Sequence, residues 1–191
     1  MSEPAWTRAT PRRQVLALLA EHQATEPQEI RALARIRELI GDSPAPFGRK
    51  QFAPGHLTAS ALVLDPGRRR VALVLHTKLG LWLQPGGHFE PGETDPLAAA
   101  RREVLEEIGV AAGPLVGEPL LLDVDVHPIP AHGDEPAHEH FDLRLLLVAA
   151  SDDAFAGDGA LGFRWVTAAE AAAQNLDPGL RRALAKVPWA D

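Results

Sequence analysis

Apolar residues near the start of the chain recur every three or four positions. Val15, Leu16, Leu18 and Leu19 follow Thr10-Pro11, a pair that reads as N-cap and first-turn proline. A second helix is expected from Thr25, with Gln28 completing a capping box, through Ile30, Leu33, Ile36 and Ile40 to Gly41. The stretch Asp42-Ser-Pro-Ala-Pro46 breaks that period. Residues 1–46 therefore read as a helical hairpin appended to a second unit, 47–191.

From His56 the period shortens. The runs 56–65 and 70–76 are β-like and joined by Pro66-Gly67, a hairpin signature. A short run, Leu81-Trp-Leu83, leads into Gln84-Pro-Gly-Gly87. One strong helix is then expected from Pro96 to Ile108, opened by Asp95 and stopped by Gly109. Segments 119–127, 140–150 and 162–166 read as strands. Two short helices close the chain, opened by Thr167 with Glu170 and by Asp177-Pro178. This order predicts a mixed α/β sandwich of the α+β kind, not a regularly alternating doubly wound sheet.

Composition narrows the chemistry. The 191 residues include no cysteine, which excludes a disulfide framework, a thiolate zinc site and a cysteine nucleophile. A chain this long buries roughly 70% of its unfolded surface and needs no such staple. Lys and Arg number 19 against 26 Asp and Glu, a formal net charge of −7. That balance is a poor match to a nucleic-acid backbone or an anionic membrane. A small anionic substrate would need a local metal ion or arginine cluster to reverse the sign. No apolar run approaches the ~18 residues of a membrane span. The start MSEPAWTRATPRR lacks the apolar core of a signal peptide, so cytoplasm is the expected location.

Glu103, Glu106 and Glu107 project from one flank of the strong helix, and Leu97, Ala100, Val104 and Ile108 from the adjoining flank. Three carboxylates within one turn repel each other, near a helix end where the macrodipole disfavours negative charge. Taken alone, the helix reads most simply as a solvated acidic face with an Arg102–Glu106 pair. The loop before it shifts the balance. Gly86-Gly87 and Pro91-Gly92 suit a backbone that turns sharply and approaches a ligand closely. Hard oxygen ligands then point to Mg2+ (or Mn2+), which meets substrate phosphates while keeping several waters.

The stretch from Gly87 to Val110 resembles the nudix box: Gly, five residues, Glu, a spacer, then Arg-Glu-apolar-x-Glu-Glu-x-Gly-apolar. Gly87, Glu93, Arg102, Glu103, Val104, Glu106, Glu107, Gly109 and Val110 fill its defined positions. Eight residues, 94–101, separate Glu93 from Arg102 where the usual pattern has seven, which raises the question of how those two side chains meet.

The resemblance covers roughly residues 48–187, weakly outside the box. It implies a nudix-type α/β/α sandwich with a mixed central sheet, preceded here by the N-terminal helical hairpin. It further implies cations held by Glu103, Glu106 and Glu107, with the Gly87 carbonyl as a further ligand. Arg102 and Glu93 would hold the loop against the helix. The implied reaction is Mg2+/Mn2+-dependent hydrolysis of a diphosphate (pyrophosphate) bond in a nucleoside diphosphate linked to another group, or a related small phosphorylated metabolite. Water attacks phosphorus while metal neutralises phosphoryl charge.

The general base stays open between Glu106 or Glu107 and a group from the loop 128–136 or its flank, such as Asp134, Glu135 or Glu139. His138, His140 and Asp142 alternate onto one strand face, where a transition-metal site competes with the commoner polar border of a pocket. His88, inside the box loop, is expected near the phosphates, and His140, Asp142, Glu135 and Glu139 are further substrate-side candidates. His56 and His76 read as structural. Arg49, Lys50, Lys78 and Arg144 are cations that a phosphate would attract, with a scattered charged surface as the plainer reading. Two other classes compete with a hydrolase: a sensor that keeps the fold without catalysis, and an allylic diphosphate isomerase, which needs a cysteine. The partner expected is a small nucleotide-like molecule, not nucleic acid or membrane. The hairpin's apolar stripes cover the chain's own core, cap a pocket or build a homodimer.

Overall fold

The computed structural model describes residues 10–77 and 79–190; Lys78 lies outside them. Two helices come first, α1 (Pro11–Glu21) and α2 (Pro27–Asp42). Then follow β1 (Gly55–Leu64), β2 (Arg70–His76), β3 (Trp82–Leu83), β4 (Gly86–His88) and α3 (Pro96–Ile108). The chain ends with β5 (Ala112–Pro114), β6 (Leu121–Ile129), β7 (His138–Ala149), β8 (Ala160–Thr167), α4 (Ala168–Ala172) and α5 (Pro178–Leu184).

All eight strands join one mixed sheet. Its spine is the parallel pair β1–β7, in register from Gly55↔Glu139 to Leu64↔Val148. β2 meets β1 only at Leu64↔Val71, so the hairpin opens like a fork, and β4 takes the vacant edge at Thr58–Ser60. β6 and β5 line the far edge of β7, and β8 lines β2.

Alternation along the spine sorts the two faces. Leu57, Ala59, Val63, Leu143 and Leu145 pack with α1, α2 and α3. Leu62, Leu64, Leu73 and Leu146 pack with Leu180 and Leu184 of α5. This is an α/β/α sandwich, as the sequence led us to expect. The apolar stripes of the hairpin lie in the same core as α3, with Val15, Leu19, Ile36 and Ile40 fully buried. Among the described residues no helix is long and apolar enough to cross a membrane.

Several local expectations are met. Asp95 caps α3 by accepting from the Leu97 N–H at 2.9 Å, and Gly109 ends it in the left-handed region at φ 70°. The Thr167/Glu170 capping box opens α4, and Asp177 caps α5. One is corrected. Thr25 does not cap α2; Glu26 holds the N-cap position with no side-chain cap bond, and Thr25 N–H instead donates to Glu29 at 3.3 Å. Pro27 decides this, because it holds the preceding residue extended and sacrifices no hydrogen bond in a first turn. The short strands β4 and β5, three residues each, carry too little alternation to be read from sequence.

Candidate active site

β4 lays the glycine pair against α3. Ala59 pairs with Gly87, and a Cβ added at Gly87 would stand 2.6 Å from Glu103 Oε1, so only glycine admits that carboxylate. The Gly86 N–H donates to Glu107 Oε2 at 3.1 Å. Arg102 is the hub. Its Nη2 donates to Glu93 Oε2 at 2.9 Å and to the His88 carbonyl at 2.8 Å. Its Nη1 donates to Glu103 Oε1 at 2.8 Å and Glu106 Oε2 at 3.2 Å. Glu93 and Arg102 thus meet in full across the eight-residue spacer.

One guanidinium serves three of the four carboxylates here and none serves Glu107, and the titration shifts register the shortage. Burial pushes Glu107 up to about 7, with Glu103 and Glu106 adding repulsion against the relief from Gly86 N–H. Burial likewise raises Glu103, although Arg102 opposes it. Burial alone would lower Arg102, but its bonds to Glu93 and Glu103 outweigh that and hold it charged. Glu103, Glu106, Glu107 and the Gly87 backbone are the oxygen donors suited to a hard divalent cation.

Beside this loop runs a polar strip on the α5 face of the sheet. β1 contributes His56, Thr58 and Ser60, and β7 contributes His138, His140, Asp142 and Arg144, paired His56↔His140 and Thr58↔Asp142. His88 joins the strip from β4: its Nε2 lies 3.2 Å from His140 Nε2. The His56 ring lies 5.1 Å from those of His88 and His138 and 5.0 Å from that of His140, centroid to centroid. Burial, with neighbouring rings adding to it, lowers His88 to about 4 and pushes His140 down further.

The remaining candidates separate. Asp142 is buried and fully engaged, accepting from Thr58 (3.0 Å), Ser60 (2.8 Å), Gln84 (3.4 Å) and Arg144 (3.2 Å). Glu139 alternates away from His138 and His140 and pairs with Arg35 of α2. Glu135 pairs with Arg49 at 3.3 Å on the surface, in the turn between β6 and β7. Arg144 is enclosed by Asp123, Asp125 and Asp142, each at 3.2 Å. Sequence reasoning passed over His56 and His127 as members of the strip. The signal that finds them is register: His56 and His127 both pair with His140.

A NUDIX domain model matches residues 54–187. The crystal structure of a NUDIX-family hydrolase from Clostridium perfringens is 26% identical, with a TM-score of 0.51 over 69% of this chain and 95% of that one. The dihydroneopterin triphosphate pyrophosphohydrolase of E. coli shares the fold, with a TM-score of 0.52 at 19% identity, over 67% of this chain and 91% of that one. An RNA pyrophosphohydrolase of Rickettsia bellii (strain OSU 85-389) is 48% identical over 44 residues, 23% of this chain. The chain spans only 27% of that relative's length. A match over most of the chain agrees with the glycine–glutamate contact and the arginine hub: the chain belongs to the NUDIX family.

Proposed function

We propose that the chain is a Mg2+- or Mn2+-dependent hydrolase that cleaves a diphosphate bond in a small nucleotide-like molecule. The observation that carries this reading is the gathering of Glu93, Glu103 and Glu106 on a single Arg102, with Glu107 held by the Gly86 N–H and Gly87 close against Glu103. A divalent ion held by Glu103, Glu106, Glu107 and the Gly87 carbonyl supplies charge neutralisation for the phosphoryl oxygens. Arg102 and Glu93 fix the loop against α3, so the donors face one point. Glu106 or Glu107 accepts the proton of the attacking water. Glu106 is half-exposed and reaches solvent; Glu107 keeps one oxygen clear of its bond to Gly86. The rest of the substrate lies along the strip bordered by His88 and His140. Asp142 acts from behind by fixing Thr58 and Ser60, and Glu135 stands at the rim.

The test is a turnover screen with Mg2+ or Mn2+. It spans nucleotide sugars, dinucleoside polyphosphates, dinucleotide cofactors, oxidised nucleoside triphosphates and a 5′-triphosphorylated oligoribonucleotide. Release of phosphate or a nucleoside monophosphate is expected from a small molecule, and Glu106→Gln lowers it roughly 1,000-fold, the worth of several kcal/mol of charge stabilisation. The thermal midpoint stays close to that of the parent. A fully active Glu106→Gln protein overturns the metal assignment. A screen with no turnover favours the sensor.

A further inference from the structure

His56, His138 and His140 each offer a ring nitrogen, and these atoms lie within 4.8 Å of one another. His56 is 1% exposed and His138 7%. The Nδ1 of His56 bonds to the Gln51 carbonyl at 3.0 Å, and the Nδ1 of His138 bonds to the Pro136 carbonyl at 2.8 Å. A carbonyl only accepts, so Nδ1 carries the hydrogen in both neutral rings and Nε2 keeps a bare lone pair. Backbone carbonyls fix the tautomer and aim of metal-bound imidazoles in this way.

Among the described residues, the buried His56 Nε2 has no hydrogen-bond partner. An orphaned buried acceptor costs about 1–3 kcal/mol, and an ion beside it removes that cost. His140 Nε2 stands 3.2 Å from His88 Nε2. Two nitrogens on one tetrahedral Zn2+ are separated by roughly 3.3 Å, given bonds of ~2.0–2.1 Å. Asp142, the acid on this strip, is engaged by Thr58, Ser60 and Arg144 and donates nothing to the ring cluster.

We propose that His56, His138 and His140 bind one transition-metal ion of the Zn2+ class at a site separate from the glutamates, with His88 facing the fourth position. Imidazole nitrogens select Zn2+, Co2+ or Ni2+ over Mg2+, which takes oxygen donors. The ion clips the start of β1 to the start of β7. Its link to the box is one residue long: His88 presents its ring to His140 and its carbonyl to Arg102. This inference does not depend on the hydrolase reading.

The full chain is stripped with EDTA, reloaded with Zn2+, desalted and measured for bound metal, with Co2+ as an optical probe. About one Zn2+ per wild-type chain is expected, with a visible Co2+ band of nitrogen coordination. His138→Gln and His140→Gln lose both, their affinity falling roughly 100-fold or more, since even removing an outer-shell partner costs 10–100-fold. Glu106→Gln and Glu107→Gln retain both. Zn2+ raises the thermal midpoint of the wild type and the glutamate variants but not that of the histidine variants. No Zn2+ on the wild type, or Zn2+ lost from the glutamate variants and kept by the histidine variants, overturns the proposal. Wild-type stoichiometry and the Co2+ band decide even where a variant fails to fold. Zn2+ retention without turnover of any diphosphate leaves this site standing and removes only the hydrolase.

Discussion

Two clusters of four carboxylates behave in opposite ways. Around the box, Glu93, Glu103 and Glu106 share Arg102, and Glu107 has only the Gly86 N–H. Under α5, Asp123, Asp125, Asp142 and Glu29 are interleaved with Arg144, Arg182 and Lys186. Burial taxes both clusters, yet cations outweigh it in one and not in the other. Bonds from Arg182 and the field of Arg144 pull Asp123 down, and His127, Arg144 and Arg182 pull Asp125 down, each against burial. Glu103 and Glu107 go up. A carboxylate cluster that brings its own cations is architecture. One left about three charges short is what the proposed cation would complete.

The largest effect expected from this contrast is on stability. Asp123 is 0% exposed and accepts from Arg182 at 2.8 and 2.9 Å and from Lys186 at 2.8 Å. Asp123→Asn strands those cations and is expected to cost about 3–5 kcal/mol by urea denaturation in EDTA. Glu107→Gln keeps an acceptor for Gly86 N–H but removes a charge the fold resists. It is expected to stabilise the metal-free protein by about 1 kcal/mol at pH 8 while lowering activity. If Glu107→Gln destabilises and Asp123→Asn does not, the two clusters have been assigned the wrong way round.

The contrast also separates what sequence shows from what it conceals. Glu103, Glu106 and Glu107 lie within one turn, so helical geometry alone places them together, and Gly87 announces a close approach. The Asp–Arg network is assembled by long-range contacts. Lys186 and Glu29 meet across 157 positions, and no local period brings them together. Asp142 reads from sequence as a substrate-side candidate or a pocket border, and Arg144 as a cation that a phosphate would attract or a scattered surface charge. Only the arrival of Asp123, Asp125 and Arg182 shows that they are already engaged. The histidine strip falls between these cases. Alternation reveals His138 and His140, but His56 enters only through the parallel register of β1 with β7.

A pH series sharpens the same pair of variants. Glu107 has a folded pKa of about 7, above the unfolded value, so the folded state binds that proton more tightly. Its contribution is full below the unfolded pKa of roughly 4.3 and is lost as pH rises through 7. The advantage of Glu107→Gln over the parent is therefore expected at pH 8 and gone by pH 5. Asp123 and Asp125 are depressed, so their contribution is present above roughly 3.9 and fades as pH falls below it. The deficit of Asp123→Asn stays constant from pH 8 to 5 and shrinks only in stronger acid. Differences between variant and parent are the quantity to follow, because His56, His88 and His140, with lowered pKa values, destabilise the fold as pH falls below about 6.5.

The smallest effect dissects why Glu107 is raised. Burial is the leading cause, and repulsion from Glu103 and Glu106 comes after it. Salt screens the second but not the first: the Debye length falls from about 10 Å at 0.1 M to about 3 Å at 1 M. Glu106 has a side chain 47% exposed, so its share is open to screening. Between 0.1 and 1 M NaCl in EDTA at pH 8, the advantage of Glu107→Gln is expected to shrink by a few tenths of a kcal/mol. The deficit of Asp123→Asn holds, since that carboxylate has no exposed surface for counterions to reach. An advantage abolished at 1 M would make repulsion the ruling cause. One that does not move would leave burial alone as the cause of the raised Glu107.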